Sequence, residues 1–152
     1  MNSTAATRAR DDSGTILVLL LGFVAVLVLM VAVVVNVSSV ILAKRALVSA
    51  ADGAAVSAAQ ALDLEALYAG GLSEQGIPLD RGLAAQRVAE YEAGAAPGQP
   101  GLRLVLARID DGTTVVVQGV REVELPFGRL IGFEPVRVRA EAQARAPVQP
   151  QR

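Results

Sequence analysis

The sequence predicts an α+β chain: one long N-terminal helix, half transmembrane and half amphipathic, then a second short helix and a three-stranded antiparallel sheet. Three observations predict it. From Ile16 to Val35 every residue is apolar or Gly. From Ala43 to Ala69 there is no Pro, and apolar residues recur at helical spacing. Beyond Gly101 apolar and polar residues alternate with strand periodicity around Asp111-Gly112.

The apolar run is long enough to cross a bilayer. Roughly 20 residues rising ~1.5 Å each span a ~30 Å hydrocarbon layer. The run continues through Asn36, Ser38 and Ser39 to Ala43, and Lys44-Arg45 stop it. A buried core helix is the weaker reading, because the remaining chain is too short to wrap such a helix on every side. A cleavable secretory signal is also weaker. Arg8 and Arg10 supply its basic flank and Val48-Ser49-Ala50 a small-residue site. The apolar run, however, far exceeds the usual ~7–15 residues. The expected organisation is therefore an arm over 1–14, a transmembrane helix over 15–43 and its amphipathic continuation over 44–69. A small α+β domain over 70–147 and a frayed tail over 148–152 complete it. Arg8 and Arg10 nearly balance Lys44 and Arg45 across the span, which leaves a mild lean toward a cytoplasmic N-terminus.

In the continuation, Leu47, Ala51, Ala54, Ala58 and Ala61 fall near one stripe, while Ser49, Asp52, Gln60 and Asp63 fall near another. Gly70-Gly71 is the expected helix stop. A stripe of small side chains lets another backbone approach closely. Two surfaces fit it: the chain's own C-terminal domain, or a neighbouring subunit. Asp52 beside it reads either as a solvated helix residue or as half of an ion pair across such an interface.

The second helix begins after Asp80, which has the side chain of an N-cap, and Leu83, Ala84, Val88 and Tyr91 share one face up to Gly94. Pro97 and Pro100 impose a loop. Leu102, Leu104 and Leu106 line one side of the first strand, and Asp111-Gly112 is a type I′ hairpin signal. Taking those two as the turn residues pairs Leu106 with Val117 and Leu104 with Gly119. The apolar faces of both strands then coincide. The second strand runs from Thr113 to Leu125. The third runs from Val136 to Ala146, with Val and Ala on one face against Arg137, Arg139, Glu141, Gln143 and Arg145 on the other. Between them, Pro126 to Pro135 holds Phe127, Leu130, Ile131 and Phe133, an unusually apolar loop. It reads as a plug over the sheet edge or as an apolar lip that meets a partner or a bilayer.

Composition narrows the function. The chain of 152 residues has a net charge of −1 and no Cys, His or Trp. Without His or Cys there is no Ser-His or Cys-His catalytic site and none of the commonest metal ligands. Glu122 and Glu124 are solvated strand neighbours in a domain too small to build a hydrolase pocket around them. No enzyme, no metal and no cofactor is expected. Scattered arginines among carboxylates do not form the basic surface that nucleic acid requires. The expected partners are the lipid bilayer and other proteins. Ala51, Ala54, Ala58, Asp52, Phe127, Leu130, Ile131 and Phe133 are the interface candidates.

The order of these features resembles a known family. A polar arm ending Asp11-Asp12-Ser13-Gly14 precedes the apolar helix, then Lys44-Arg45 and the run Ser49-Ala50-Ala51-Asp52-Gly53-Ala54-Ala55-Val56-Ser57-Ala58-Ala59. This is similar to the N-terminal segment of TadE/TadG-like proteins of Tad (tight adherence, Flp) pilus systems. Gly53 and Val56 stand where that family usually has Ala and Leu. The Pro126-Phe127-Gly128-Arg129-Leu130-Ile131-Gly132 loop and the alternating Arg/Ala strand resemble its shorter actinobacterial members. The resemblance implies a pilin-like fold and a pilus-assembly, minor-pilin-like role. It also implies pilus or secretion-system membrane proteins as partners, with pilin-like subunits among them, and a single-pass location with the C-terminal domain outside the cytoplasm. The alternative role is an accessory subunit that stays in the membrane. One departure bears on processing. Precursors cut by prepilin peptidase usually have Glu five residues after the cleaved Gly, and Leu19 stands there after Gly14. The arm is expected to be retained.

Overall fold

A computed structural model describes residues 5–63, 78–128 and 132–146, with side chains from Gly14 onward. Helix α1 covers Ala5–Ala58 and helix α2 covers Arg81–Ala95, followed by a 3₁₀ turn at Ala96–Gly98. Strands β1 (Leu102–Asp110), β2 (Thr114–Val123) and β3 (Val136–Arg145) form one antiparallel sheet in the order β1-β2-β3. The α+β class is as the sequence predicts. The chain divides into two compact units, 1–38 and 39–152, and α1 is continuous through both.

In the first unit α1 starts at Ala5, so helix extends into the segment expected to be a separate arm. Ile16, Leu19, Phe23, Leu29 and Val34 are all exposed. A helix with exposed apolar side chains all round is the pattern that lipid satisfies and water does not.

In the second unit one core joins the rest of α1, α2 and one face of the sheet. Leu47, Ala51, Ala54, Ala55 and Ala58 of α1 are fully buried with Ala84 of α2 and Val115 and Val117 of β2. Leu47 lies over Gly119. A Cβ at Gly119 would stand 2.9 Å from Leu47 Cδ1 and 3.1 Å from Leu104 Cδ2. The missing side chain at position 119 is therefore the seat for Leu47. A second close approach joins the helices: a Cβ on Gly53 would overlap the hydroxyl and ring of Tyr91. Here a glycine inside a helix, which lowers helix propensity by ~1 kcal/mol relative to Ala, leaves room for an aromatic ring.

Asp80 caps α2, its Oδ1 accepting from the Leu83 N–H at 2.8 Å, as the sequence predicts. Asp111 and Gly112 both have positive φ, 52° and 68°, and the Thr113 N–H donates to the Asp110 carbonyl, which is type I′ hairpin geometry. Leu104 pairs with Gly119 and Leu106 with Val117, the predicted register. Past Leu106 the register shifts at a bulge, so that Arg108 pairs with Val116 and Ile109 with Val115. The extra residue, Ala107, changes the parity of the strand and turns Ile109 to the same face as Leu102 and Leu104.

The end of α1 differs from expectation. The helix stops at Ala58, well before Ala69; Gly70-Gly71, the expected stop, lie outside the described residues. The last turn tightens, with Gln60 N–H donating to the Ser57 carbonyl and Ala61 N–H to that of Ala58. Leu62 then pairs with Leu79 in an isolated bridge, flanked by hydrogen bonds from Asp63 N–H to the Pro78 carbonyl and from Asp80 N–H to the Ala61 carbonyl. Backbone pairing across these segments overrides a helix propensity that nothing local interrupts. Likewise α2 runs one residue past Gly94, and β2 ends at Val123 instead of Leu125.

The Leu47–Gly119 contact predicts non-additive mutants. Leu47→Ala should destabilise by about 2–4 kcal/mol through lost burial and cavity formation. Gly119→Ala should destabilise by about 1–3 kcal/mol through overpacking. The double mutant should lose less than the sum, because truncation of Leu47 vacates the space that the new methyl group needs. Thermal denaturation of the four detergent-solubilised proteins measures this; strict additivity would show that the two residues do not touch.

Candidate functional site

The side chains with reactive potential are carboxylates and guanidiniums, and those that pair do so at the surface. On the outer face of the sheet Arg108 Nε donates to both oxygens of Asp110 at 3.1 Å, and its Nη2 reaches Glu141 at 3.4 Å. The hydrogen bond and charge of Asp110, helped by Glu141, raise the Arg108 pKa above its ordinary value. Arg137 Nη2 donates to Glu122 at 2.7 Å across β2 and β3. Pairs this exposed contribute little to stability. They define a polar ladder on one side of the sheet, while the other side belongs to the core. The arrangement suits a recognition surface.

The expected interface residues fall into separate settings. Ala51, Ala54 and Ala58 are fully buried in the core of the second unit, so they line the contact of α1 with the chain's own domain. Asp52 is exposed, at one end of a shallow surface groove that also takes in Ile41, Lys44, Arg45, Val48 and Ser49. Phe133 is 64% exposed and Phe127 is half-buried. Leu130 and Ile131 lie outside the described residues. The loop is closed by two hydrogen bonds, Gly128 N–H to the Leu125 carbonyl and Phe133 N–H to the Gly128 carbonyl, both 2.9 Å. A side chain at Gly128 would meet Leu125 Cβ at 2.8 Å, so the loop requires Gly there. That closure holds the Phe133 ring in solvent.

One residue that composition did not single out shapes the sheet. Glu92 of α2 accepts from the Leu104 N–H through Oε2 at 2.7 Å and pairs with Arg103 through Oε1 at 3.4 Å. It thus covers part of the free edge of β1. The signal was present: Ala84, Val88 and Glu92 recur every four residues, which sets a carboxylate in line with the buried stripe of α2.

Residues 14–61 match the sequence model of the Flp pilus-assembly TadE/G-like family. Over that segment the chain is similar to the family. The match covers the described apolar helix, the alanine stripe and the tightened turn that ends α1, about a third of the chain. The similarity supports involvement in Flp pilus assembly in general. The chain's long apolar helix fits a single-pass membrane anchor in such a system. No curated protein and no solved structure matches the chain.

The alanine stripe of this TadE/G-like segment can be tested by size. Ala54→Leu adds three carbons at a position with no exposed surface, an overpacking that should destabilise by about 1–3 kcal/mol. Asp52→Ala, on the exposed side of the same turn, should stay within about 0.5 kcal/mol of wild type. Limited proteolysis of the detergent-solubilised monomer reads the difference. Equal resistance of the two variants would mean that the stripe is not packed within the chain.

Proposed function

We propose that the chain is a membrane-anchored, minor-pilin-like component of a Flp-type pilus, with its α+β domain outside the cytoplasm. The observation that carries this reading is the continuity of α1. A single unbroken helix of 54 residues has exposed apolar side chains in its first half and an alanine face committed to a domain core in its second. Such a helix passes from bilayer to filament without exposing new apolar surface, because neighbouring helices replace lipid around the same side chains. The domain travels with it, since its core includes the helix. The partners in this role are other pilus-assembly membrane proteins and pilin-like subunits, and the bilayer itself.

A second reading draws support from Leu19. If the residue five places after Gly14 must be Glu for peptidase processing, Leu19 keeps the arm attached. A retained arm suits an accessory subunit that remains in the membrane while others leave it.

Shearing separates the two. In the leading role the protein should appear in sheared, sedimented filaments as well as in the membrane fraction. Recovery from membranes alone would favour the accessory role. Topology is checked independently through Gly98, where an added side chain would meet nothing within 4 Å. Because the natural chain has no Cys, Gly98→Cys carries the single thiol. An impermeant thiol reagent should label it in intact cells; labelling only after lysis would reverse the orientation.

A further inference from the structure

The second unit has two ends of different chemistry, and the packing of α1 fixes which is which. Leu47 of α1 meets Gly119 of β2. Further along the chain Leu62 pairs with Leu79, whose N–H donates to the Gly112 carbonyl in the turn before β2. Within this unit α1 therefore runs beside β2 in the opposite direction. The turn end carries Asp63, Asp80, Asp110 and Asp111. The other end is where α1 enters the unit, at Ser39. From Gly119 to Val123 the strand advances about 13 Å, a distance that roughly nine residues of helix also cover. Counted back from Leu47, that brings the start of the β2–β3 loop level with the entry of α1. Leu42 and Phe133, each 64% exposed, are the most exposed large apolar side chains of the unit among the described residues, and both lie at this end.

We propose that the β2–β3 loop seats on the bilayer that holds α1, with the Phe133 ring entering the headgroup layer. This rests on the reading of α1 as a membrane anchor. The apolar run joins the unit at Ser39, so the anchor keeps that end of the unit, and not the acidic end, beside the lipid. An apolar ring on a tethered surface leaves water by entering the boundary between headgroups and acyl chains, ~5–10 Å deep. The loop is closed for this task in advance. The Phe133 N–H donates to the Gly128 carbonyl at 2.9 Å, and the Leu125 side chain occupies the space a Cβ on Gly128 would need. A ring presented on a closed loop loses little conformational freedom on insertion. The contact is apolar, since Glu134 beside the ring is exposed and stays with the water. No anionic lipid is needed for it. A unit held both by α1 and by this loop cannot swing about Ser39, so the polar ladder on the outer face of the sheet keeps a fixed attitude to the membrane. Partners of that ladder then meet it in one orientation.

The test uses the full chain in phosphatidylcholine vesicles whose acyl chains are brominated near the headgroup. The natural chain has no Trp, so each variant carries a single indole. Phe133→Trp reports on the loop, and Phe23→Trp, in the apolar run, reports on the anchor. Gln143→Trp is the control. Gln143 is exposed and pairs with Val116, about 23 Å along the sheet from Val123 toward the acidic end. Phe133→Trp should emit to the blue of Gln143→Trp and be quenched by bromine at least about twofold more strongly. The quenching should persist in about 1 M salt, where charge attraction is screened. Val136→Trp, exposed at the root of β3, is a second reporter of the same end, and circular dichroism matching wild type shows that each variant is folded. Quenching of Phe23→Trp without quenching of Phe133→Trp and Val136→Trp overturns the loop contact and leaves the anchor standing. Absence of quenching in all of them overturns the anchor and the loop contact with it. Equal quenching of Phe133→Trp and Gln143→Trp would mean that the unit meets lipid with no preferred end. Loss of quenching in salt would assign the contact to Lys44 and Arg45. Either result overturns the proposal.

Discussion

The second unit depends on how closely a helix can approach a sheet when both present small residues. Leu47 is one of the few large side chains at that contact, and it fits because position 119 has none. Around it α1 offers alanines, each of which buries little area. Apolar burial of about 25 cal/mol per Å² leaves such a contact weak unless the backbones come near enough for dispersion to add to it. Close approach is thus the condition for stability here, and glycine and alanine are its chemical means. The same condition accounts for Gly53, where the Tyr91 ring occupies the space of a side chain.

This packing ties anchor to domain. The helix that supplies the exposed apolar segment also supplies part of the domain core, so the domain cannot unfold without releasing its hold on α1. In a soluble protein a helix of this length would expose an extended apolar surface to water; in a bilayer the first half is solvated by lipid and only the second needs a protein cover. A TadE/G-like match that ends at Ala61 coincides with this arrangement, since it takes in the apolar helix and the stripe that packs on the sheet and stops where the chain turns away.

The two sheet edges show how a three-stranded sheet manages its unpaired groups. A carboxylate on α2 satisfies one peptide of β1 and leaves β3 as the edge with outward peptide groups and alternating charge. Charged edge residues discourage indiscriminate strand pairing.

Local chemistry determined much of this protein from sequence alone. The apolar run, the Asp80 cap, the Asp111-Gly112 turn, the hairpin register through Leu104 and Leu106, and the alternation in β3 each follow from a signal within a few residues. Each stands in the structure because hydrophobic periodicity, capping and positive φ are local properties. The alanine stripe was legible as a packing face, but its occupant was not, since periodicity records that a face is covered and not by what. Three features were decided by tertiary structure. The end of α1 at Ala58 is set by the pairing of Leu62 with Leu79, between segments separated in sequence, against an uninterrupted helix propensity. The bulge at Ala107 is set by the need to bring Ile109 to the core face, although the slip from Leu106 to Ile109 in the alternation already marked it. The role of Glu92 is set by the packing of α2 beside β1. In each case the deciding contact lies between elements, where no short window of sequence holds both partners.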